Sequence, residues 1–461
     1  MSVIAAYMVP HPPLIIPEVG KGGEKRIEAT VKAYDRVGRE TAALAPDTII
    51  ITSPHSVMYA DYFHISPGSG ASGSFADFGA PRARFRGSYD TEFVETLESM
   101  AEETGFPAGT LGERDKKLDH GTMVPLHFIR KYHDGSRIVR IGLSALPLTE
   151  HYKLGRLIKA AAEKLGRRAV FIASGDLSHK LKADGPYGFA PEGAEYERRI
   201  MDVCSRAAFG ELFDFDEDLC EKAAECGHRS FVIMAGALDG MSVRADRLSH
   251  EDVTGVGYGI CSFMPEGPDE SRRFLDARLR EAERRAAEKA ASSDAYAALA
   301  RRAVEEYVLY GRKLRLPRET ENQMTRARAG AFVSIHEHGA LRGCIGTVSP
   351  AESCIGEEII SNAISAASAD PRFRPIRPEE LKWLEISVDI LSEPEEIESA
   401  DKLDVKRYGV IVCSGSKRGV LLPDLEGVDT VEQQIDIARR KAGIAPGKKL
   451  TLYRFAVSRH S

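Results

Sequence analysis

The sequence has few cysteines, no excess of positive charge and no long apolar run, and each shortage excludes a class of protein. Its seven cysteines among 461 residues are odd in number and irregularly spaced, unlike the pattern of a secreted disulfide framework. No Cys-x-x-Cys pair occurs, so a zinc ribbon or thioredoxin-type redox site is not expected. The first residues lack the features of a secretory leader, and no segment has the length of a membrane span. We therefore expect a cytoplasmic protein with reduced thiols and no membrane partner.

The charge balance and the length limit the possibilities further. The chain carries 63 Lys and Arg against 69 Asp and Glu, a formal net charge of −6, whereas a general nucleic-acid surface requires a basic excess. A chain of 461 residues is too long for one core and predicts two or three domains. Ten of the 13 histidines precede residue 251, so metal or proton-transfer chemistry is expected in the first half.

What the first half does contain is three short apolar segments, each followed by a histidine. The pairs are 3–8 with His11, 47–52 with His55 and 169–173 with His179. Such runs predict buried strands, and the prolines beside His11 end the first of them because they lack a backbone N–H. Ligands of open α/β sheets bind beyond the carboxyl ends of the strands. The pattern therefore predicts a metal or acid–base site along one edge of a sheet.

The candidate metal ligands are two of these histidines and one residue from a later segment. His11 and His55 are the natural pair, because neutral imidazole is a common ligand of borderline metals. The third ligand is expected in the segment 223–230, which brings a carboxylate, a thiol and an imidazole together. Glu225 would complete an Fe(II)-type facial triad, whereas Cys226 would give a softer site that favours copper or zinc.

Two further histidines are candidates for proton transfer. His179 follows Gly-Asp-Leu-Ser and lies near Asp176, so it is a candidate general base that the carboxylate orients. His120, preceded by Asp119, is a second candidate proton donor or substrate contact.

Strands that alternate with helices predict an α/β domain over residues 1–264, with a sheet covered on both faces. Residues 67–87 are rich in Gly, Ser, Ala and Pro and predict a long irregular loop, of the kind that often forms a lid or a substrate wall. A helix is expected over 217–226. Residues 265–294 are dense in Arg, Glu and Ala and predict a charged helical linker. An α+β domain is expected over 295–461.

Four motifs of the first half resemble a known family. They are VPHPPLIIPEVG, SPHS, LDHGTMVPLHF and IASGDLSHKL, and they are similar to the class III extradiol dioxygenases, the LigB-type ring-opening enzymes, and to their Memo-protein relatives. The resemblance covers residues 1–264 and implies an α/β domain with a central mixed sheet.

The resemblance also implies roles for particular residues. In the dioxygenases, the residues that match His11 and His55 bind Fe(II) with a Glu, the match of His179 is the acid–base catalyst, and the match of His120 lines the pocket. Fe(2+) is then the expected cofactor, with copper or zinc as the alternatives, and the expected reaction is oxidative ring opening of a small aromatic or related substrate. The segment 225–229 (ECGHR) is closer to the Memo branch, where a Cys occupies the region of the third ligand. A metal-binding protein without dioxygenase activity is therefore the alternative.

The second half contains another set of motifs. The string LRGCIG at 341–346, with its two glycines around a thiol, predicts a tight turn with close backbone approach. Cys344 is a candidate nucleophile whose pKa Arg342 would lower, or else a buried thiol in that turn. LRGCIG, ADPRF at 369–373 and GVLLP at 419–423 resemble the AMMECR family over 295–458, and this resemblance supplies no molecular activity.

The two modules in one chain resemble the AmmeMemoRadiSam system, in which they occur with a radical S-adenosylmethionine protein. The sequence has no Cys-x-x-x-Cys-x-x-Cys motif of its own, so a radical step would require a separate radical S-adenosylmethionine partner. The sequence does not predict the oligomeric state.

Overall fold

A computed structural model describes residues 2–114, 117–425 and 427–461 and shows a chain of two compact units. The first unit reaches Arg278, and the second runs from Leu279 to Ser461. The division falls inside a charged helix, Phe274–Ala291, which lies in the segment predicted as a helical linker. Among the described helices, none is long and apolar enough to cross a membrane.

The first unit is built on a six-stranded mixed sheet. Its strands, with those of two small two-stranded sheets, are β1 (Val3–Val9), β2 (Thr48–Ser53), β3 (Phe63–His64), β4 (Gly70–Phe75), β5 (Ala80–Ser88), β6 (Ala108–Gly109), β7 (Arg137–Gly142), β8 (Ala169–Ser174), β9 (Met241–Glu251) and β10 (Tyr258–Pro268). The order in the main sheet is β7-β2-β8-β1-β10-β9. The first four strands are parallel, and β10 and β9 are antiparallel to their neighbours. The predicted central mixed sheet is therefore confirmed.

Helices cover both faces of this sheet. They are α1 (Pro17–Gly20), α2 (Glu28–Leu44), α3 (Thr91–Thr104), α4 (His120–Arg130), α5 (Leu148–Leu165), α6 (Pro191–Ser205), α7 (Glu217–Ala223) and α8 (His228–Ala237), followed by α9 (Phe274–Ala291). Tyr7 and Ile51 pack in one cluster with residues of α2 and α4. Successive strand residues point to opposite faces, and the alternate residues Met8 and Ile50 are also fully buried. The opposite face is covered by α8, which contacts β1, β2 and β8.

Residues 67–87 form a hairpin, so the prediction of an irregular loop there was wrong. β4 pairs with β5 in antiparallel register, and a short 3-10 turn at Ala76–Phe78 connects them. The glycines and serines of this segment led to the prediction of a loop, because these residues occur in turns more often than in strands. Gly70 is required for the close pairing: its φ is 155°, and a Cβ there would lie 2.2 Å from the Gly87 carbonyl oxygen.

The second unit is an α+β domain, as predicted. Its elements are α10 (Ala295–Tyr310), α11 (Asn322–Arg326), β11 (Ala331–Glu337), β12 (Ala340–Gly346), α12 (Ile355–Ser368), β13 (Leu384–Leu391), β14 (Glu395–Ile397), β15 (Tyr408–Ser414), β16 (Lys417–Leu421), α13 (Val431–Lys441) and β17 (Thr451–His460). The antiparallel sheet has the order β12-β11-β13-β17-β15-β16, with β14 on β17. Residues of α10 and α12 pack on Val333, Ile335 and Val388 in one core cluster.

Candidate metal centre

The parallel strands of the first unit bring three histidines to one edge of the sheet. His11 lies two residues after β1, His55 two residues after β2, and His179 five residues after β8. Strand β8 lies between β2 and β1 and is parallel to both, so all three side chains start from the same edge.

Three donor atoms meet at this edge. The Nε2 atoms of His11 and His55 are 3.0 Å apart, and the Cys226 Sγ lies 3.7 Å from the His11 Nε2. One ligand atom from each residue lies within 4.8 Å of the other two. Zn–N bonds of about 2.0 Å and a Zn–S bond of about 2.3 Å in tetrahedral geometry place such donors about 3.3 to 3.6 Å apart. The two spacings that involve His11, 3.0 and 3.7 Å, lie near these values, and the types of donor fit a transition-metal ion.

Hydrogen bonding sets the tautomer of His11. The Ser174 Oγ donates to the Gly121 carbonyl oxygen at 2.7 Å, and it lies 3.0 Å from the His11 Nδ1. Because the hydroxyl proton is directed to Gly121, the serine oxygen accepts from Nδ1–H. Burial and the neighbouring His55 lower the pKa of His11 well below its usual value. The ring is therefore neutral, with the lone pair of Nε2 facing His55 and Cys226, which is the form that binds metals.

Cys226 reaches the centre because helix α7 ends before it. The prediction of a helix to residue 226 was wrong: α7 ends at Ala223, and Ala224 takes a left-handed conformation with φ of 51°. The Asp176 backbone N–H donates to the Cys226 Sγ at 3.3 Å. Burial, with the charges of Asp176 and Glu225, raises the pKa of the thiol well above its usual value. A bound cation would reverse this shift by stabilising the thiolate.

The structure does not bring Glu225, the alternative third ligand, into this donor group. Its carboxylate accepts from the His228 backbone N–H at 2.6 Å and lines a different pocket of about 380 Å³ with Cys220 and Arg229. Adjacent residues leave the end of α7 in different directions, so the thiol faces the imidazoles and the carboxylate faces away.

The buried carboxyl group of Glu225 should make the stability of the folded chain depend on pH. Burial raises its pKa to about 7. Between the usual pKa of a glutamate and about pH 7, this carboxyl group is therefore protonated in the folded chain and ionised in the unfolded chain. The free energy of unfolding of the metal-free protein should therefore fall as pH rises through this window. Glu225→Gln should weaken that dependence, as measured by urea unfolding at about pH 5 and pH 8. The exposed Glu221→Gln is the matched control, and parallel pH profiles of Glu225→Gln and wild type would contradict the prediction.

His179 presents one nitrogen to the centre. Its Nδ1 donates to the Ala224 carbonyl oxygen, and its Nε2 lies 3.9 Å from the Asp176 Oδ2. The Asp176 Oδ1 also accepts from the His11 backbone N–H at 2.7 Å. Burial raises the pKa of Asp176, although the nearby His179 opposes the shift. The lone pair of Nε2 can thus accept a proton, and Asp176 would stabilise the resulting imidazolium.

His120 completes the cluster of imidazoles. Its ring centroid is 4.0 Å from that of His55 and 5.2 Å from that of His11. Burial and the two neighbouring histidines lower its pKa to about 3, so it is neutral near pH 7. Its place follows from Asp119, which caps the first turn of α4 by accepting from the Thr122 backbone N–H at 2.9 Å.

One residue of this network was missed in the sequence. Arg140 is fully buried on β7, and its guanidinium contacts the Asp119 Oδ2 at 2.8 Å. The Asp119 Oδ1 in turn accepts from the Ser53 Oγ at 2.6 Å. The available signal was the charged residue inside the strand RIVRIG, because a buried arginine requires a partner.

In the second unit, Arg342 and Cys344 lie on β12, an edge strand, and not in the predicted tight turn. The predicted close approach is present at Gly343, where a Cβ would lie 2.2 Å from the Ala366 carbonyl oxygen. Arg342 pairs with Glu380 at 2.7 Å. The Cys344 Sγ is 3.3 Å from the Ser334 Oγ, a hydroxyl that can donate to the sulfur but is no general base.

The segment 370–372 takes the place of a further strand beside Cys344. The Cys344 N–H donates to the Asp370 Oδ2 at 2.9 Å, and Arg372 donates to the Cys344 carbonyl oxygen at 3.2 Å. These two hydrogen bonds join the motifs LRGCIG and ADPRF in the folded chain.

Loss of the Asp370 carboxylate should expose the Cys344 amide. In Asp370→Ala we expect hydrogen exchange of this amide to be about tenfold faster or more, because a hydrogen bond to a charged acceptor contributes about 1.5–3 kcal/mol. Exchange followed by mass spectrometry measures this. Asp370→Asn keeps an acceptor and is the control, and equal protection in all three proteins would contradict the assignment.

The fold of the first unit, with its histidines at one edge of the parallel strands, is that of an α/β domain of the extradiol dioxygenase superfamily. Residues 5–261 match the family described as the catalytic LigB subunit of aromatic ring-opening dioxygenase, and residues 297–460 match the AMMECR1 family. The chain belongs to the LigB family, with an AMMECR1 domain at its C-terminal side. The predicted fusion of the two modules is therefore confirmed.

Among the similar proteins, one matches the whole chain and others match about a third of it. Protein CA_C1420 of Clostridium acetobutylicum is 40% identical over 100% of this chain and 99% of its own. A protein of Thermotoga maritima is 48% identical over 36% of this chain and 96% of its own. The crystal structure of the Pyrococcus horikoshii protein PH0010 has 33% identity and a TM-score of 0.34 over 36% of this chain and 88% of that one.

Proposed function

We propose that the first unit is a metal-dependent oxidoreductase of the extradiol ring-cleavage type, with Fe(2+) as its metal and a small aromatic diol or related compound as its substrate. The observation that supports a metal-dependent function is the meeting of His11, His55 and Cys226 within 4.8 Å, beside the imidazoles of His120 and His179. The choice of iron and of ring cleavage rests on the match of residues 5–261 to the ring-opening dioxygenase family, because the Cys226 thiolate by itself favours a softer metal. His55 is exposed, so a substrate has access to the donor group from its side.

His11, His55 and Cys226 would hold the ion, which when bound supplies Lewis acidity that favours the ionised diol and a route for electrons between diol and O₂. The chain supplies the proton transfer. His179 accepts a hydroxyl proton of the diol at Nε2, because its Nδ1 is fixed by the Ala224 carbonyl oxygen. Asp176, 3.9 Å from this nitrogen, stabilises the charged ring until the proton is returned to the product.

His120 has a different part in the reaction. Its low pKa keeps the ring neutral, so it can donate one hydrogen bond to a substrate oxygen without competing for the diol proton. Its ring lies against that of His55, which places it in the wall of the same site.

The test is O₂ uptake by protein loaded anaerobically with Fe(II) and supplied with a panel of catechols. Wild type should consume O₂ with ring opening. His179→Gln should retain the metal and lose about 100-fold or more in turnover, the usual contribution of a general acid–base group. Full metal occupancy without O₂ uptake on any catechol would refute the dioxygenase proposal.

Cys226 favours a second candidate, a Memo-like metal-binding protein that does not cleave rings. A thiolate with two imidazoles makes a softer site that suits copper or zinc, and redox chemistry would then belong to a separate radical S-adenosylmethionine partner. X-ray absorption on the metal-bound protein distinguishes the candidates when combined with O₂ uptake. Sulfur bound to copper or zinc, with no uptake, would support this second function.

A further inference from the structure

A buried carboxylate outside the donor group contacts the segment that carries His179. Glu197, on α6, is 4% exposed, and its Oε1 accepts from the Ser178 backbone N–H at 3.2 Å. Its Oε2 lies 2.5 Å from the Nε2 of His250, a residue of the edge strand β9. Burying a carboxylate is costly unless hydrogen bonds satisfy it. These two contacts therefore determine where the Glu197 side chain can lie.

His250 holds one oxygen of this carboxylate in place. The Nη2 of Arg247 lies 3.2 Å from the His250 Nδ1, and because a guanidinium has donors and no acceptor, the Nδ1 atom accepts. An imidazole whose Nδ1 accepts carries its proton on Nε2. The His250 Nε2–H is therefore donated to the Glu197 Oε2. Both oxygens of the carboxylate then accept a hydrogen bond, as those of the ionised form do.

Ser178 connects this carboxylate to the backbone around His179. The Gly257 N–H donates to the Ser178 carbonyl oxygen at 2.8 Å. The Ser178 Oγ donates to the Ala223 carbonyl oxygen at 2.9 Å, and the His179 N–H donates to the same oxygen at 3.2 Å. Ala223 is the last residue of α7. Ser178 thus joins the His179 segment to the end of α7, and a shift of its amide would move the His179 ring.

Close packing also restricts both groups. A Cβ at Gly257 would lie 1.3 Å from the Glu197 Oε1, and a Cβ at Gly193 would lie 2.5 Å from the Ser178 Oγ. The absence of side chains at these two glycines gives the carboxylate and the hydroxyl the room they occupy. The carboxylate is therefore enclosed by backbone on one side and held by His250 on the other.

We propose that Glu197 is a positioning residue for His179 and that His250 orients Glu197. The carboxylate fixes the Ser178 amide, and the next residue is His179, whose Nδ1 donates to the Ala224 carbonyl oxygen. With the backbone fixed, that hydrogen bond keeps the Nε2 of His179 directed to the metal centre. The part of His179 in proton transfer belongs to the proposed function, on which this inference rests. The orientation of its ring can be measured without turnover.

The kinetic test uses the full chain loaded anaerobically with Fe(II) and the catechol that wild type turns over fastest when O₂ is added. Glu197→Leu keeps the approximate volume of the side chain and removes the acceptor for the Ser178 N–H, whereas Glu197→Gln keeps an oxygen that can accept. A displacement of about 1 Å can cost about 100-fold in rate, so kcat should fall about tenfold or more in Glu197→Leu. Metal content and the affinity for the catechol without O₂ should stay near the wild-type values. Glu197→Gln should recover most of the rate, which a residue that only fills space would not explain.

His250→Phe tests the second residue. It keeps a ring but donates no hydrogen bond to the Glu197 Oε2, so kcat should fall. The fall should be smaller than in Glu197→Leu, because the contact between Glu197 and Ser178 remains. Unchanged kcat in His250→Phe that is folded by circular dichroism would overturn the orienting role of His250. If Glu197→Leu does not fold, His250→Phe alone decides the inference.

Nitrogen NMR of histidine measures the ring of His179 without turnover, in the metal-free protein. Wild type should show the proton on Nδ1, because this atom donates to the Ala224 carbonyl oxygen, and the signal is assigned by its absence in His179→Gln. In Glu197→Leu the shifts of the two ring nitrogens should move toward each other, as in an imidazole that exchanges between its two tautomers. Glu197→Gln should keep the wild-type shifts.

Glu195→Leu is the matched control. Glu195 lies two residues away on the same helix, and its side chain is 51% exposed, so its loss should change neither kcat nor the His179 shifts. Wild-type kcat and wild-type shifts in Glu197→Leu would overturn the inference while the proposed function stands. If metal-loaded wild type took up no O₂ on any catechol, the proposed function would fail, and unchanged His179 shifts in Glu197→Leu would then overturn the inference independently.

Discussion

Cys226→Ser and the double variant His11→Ala, His55→Ala are expected to lose the metal that wild type retains when purified without added metal, whereas Glu225→Gln is expected to keep it. The three donor atoms lie within 4.8 Å of one another, and Glu225 instead accepts from the His228 N–H. Removal of residues that only support a metal ligand already costs about 10–100-fold in affinity, so loss of a ligand should cost more than about 100-fold. Elemental analysis and metal titration measure both effects.

Glu225→Gln is the matched control for Cys226→Ser because the two residues are adjacent and each variant keeps the approximate shape of its side chain. Circular dichroism establishes that each variant is folded. Metal retained in Cys226→Ser and lost in Glu225→Gln would assign the carboxylate as the third ligand and contradict the thiolate site. That outcome would also strengthen the Fe(II) facial-triad interpretation of the first unit.

The placement of His11, His55 and His179 could be predicted because it depends on topology. Apolar strands of this length become parallel neighbours in an α/β sheet, and their carboxyl ends share an edge. The choice between Glu225 and Cys226 could not be predicted. It depends on the left-handed Ala224, and alanine gives no sequence signal for a conformation that usually selects glycine or asparagine.

The side-chain contacts around the metal centre also could not be predicted from the sequence. The position of Phe78 beside His120 depends on a hairpin whose glycine-rich strands resemble a loop. The position of Tyr187 beside His179 depends on a loop closed between Lys180 and Ala190. Both are set by hydrogen bonds between backbone atoms, which leave no periodic trace in the side chains. In the second unit, the pairing of Cys344 with Asp370 likewise joins residues 26 positions apart.

Arg140→Met is expected to destabilise the first unit by about 3–5 kcal/mol at neutral pH, the usual cost of removing one member of a buried ion pair. Arg140 is fully buried and contacts Asp119 through two nitrogens, at 2.8 and 3.1 Å. Burial alone would raise the pKa of Asp119, but Arg140, with Ser53 and Thr122, holds it below the usual value. Without the guanidinium, Asp119 would be a buried charge supported by hydroxyl and backbone donors only.

The pH dependence of this loss identifies its cause. In wild type the depressed pKa of Asp119 contributes stability at neutral pH that is lost as pH falls through the folded-state value. In Arg140→Met burial dominates, and protonation of Asp119 relieves the unpaired charge, so the gap between variant and wild type should narrow at acid pH. Urea unfolding is followed both by far-ultraviolet circular dichroism, which reports both units, and by the fluorescence of the single tryptophan, Trp383, which lies in the second unit. A change seen by circular dichroism and not by tryptophan fluorescence belongs to the first unit.

The double variant Arg140→Met, Asp119→Asn separates loss of packing from loss of charge pairing. Asparagine caps a helix about as well as aspartate, so α4 and His120 should keep their places while the unpaired charge is removed. The double variant should therefore be more stable than Arg140→Met alone. The difference in the free energy of unfolding between the double variant and wild type should change little with pH at neutral and alkaline values. If the double variant were no more stable than Arg140→Met, Arg140 would stabilise the unit by packing. The charge of Arg140 would then not be needed to keep Asp119 ionised in the core.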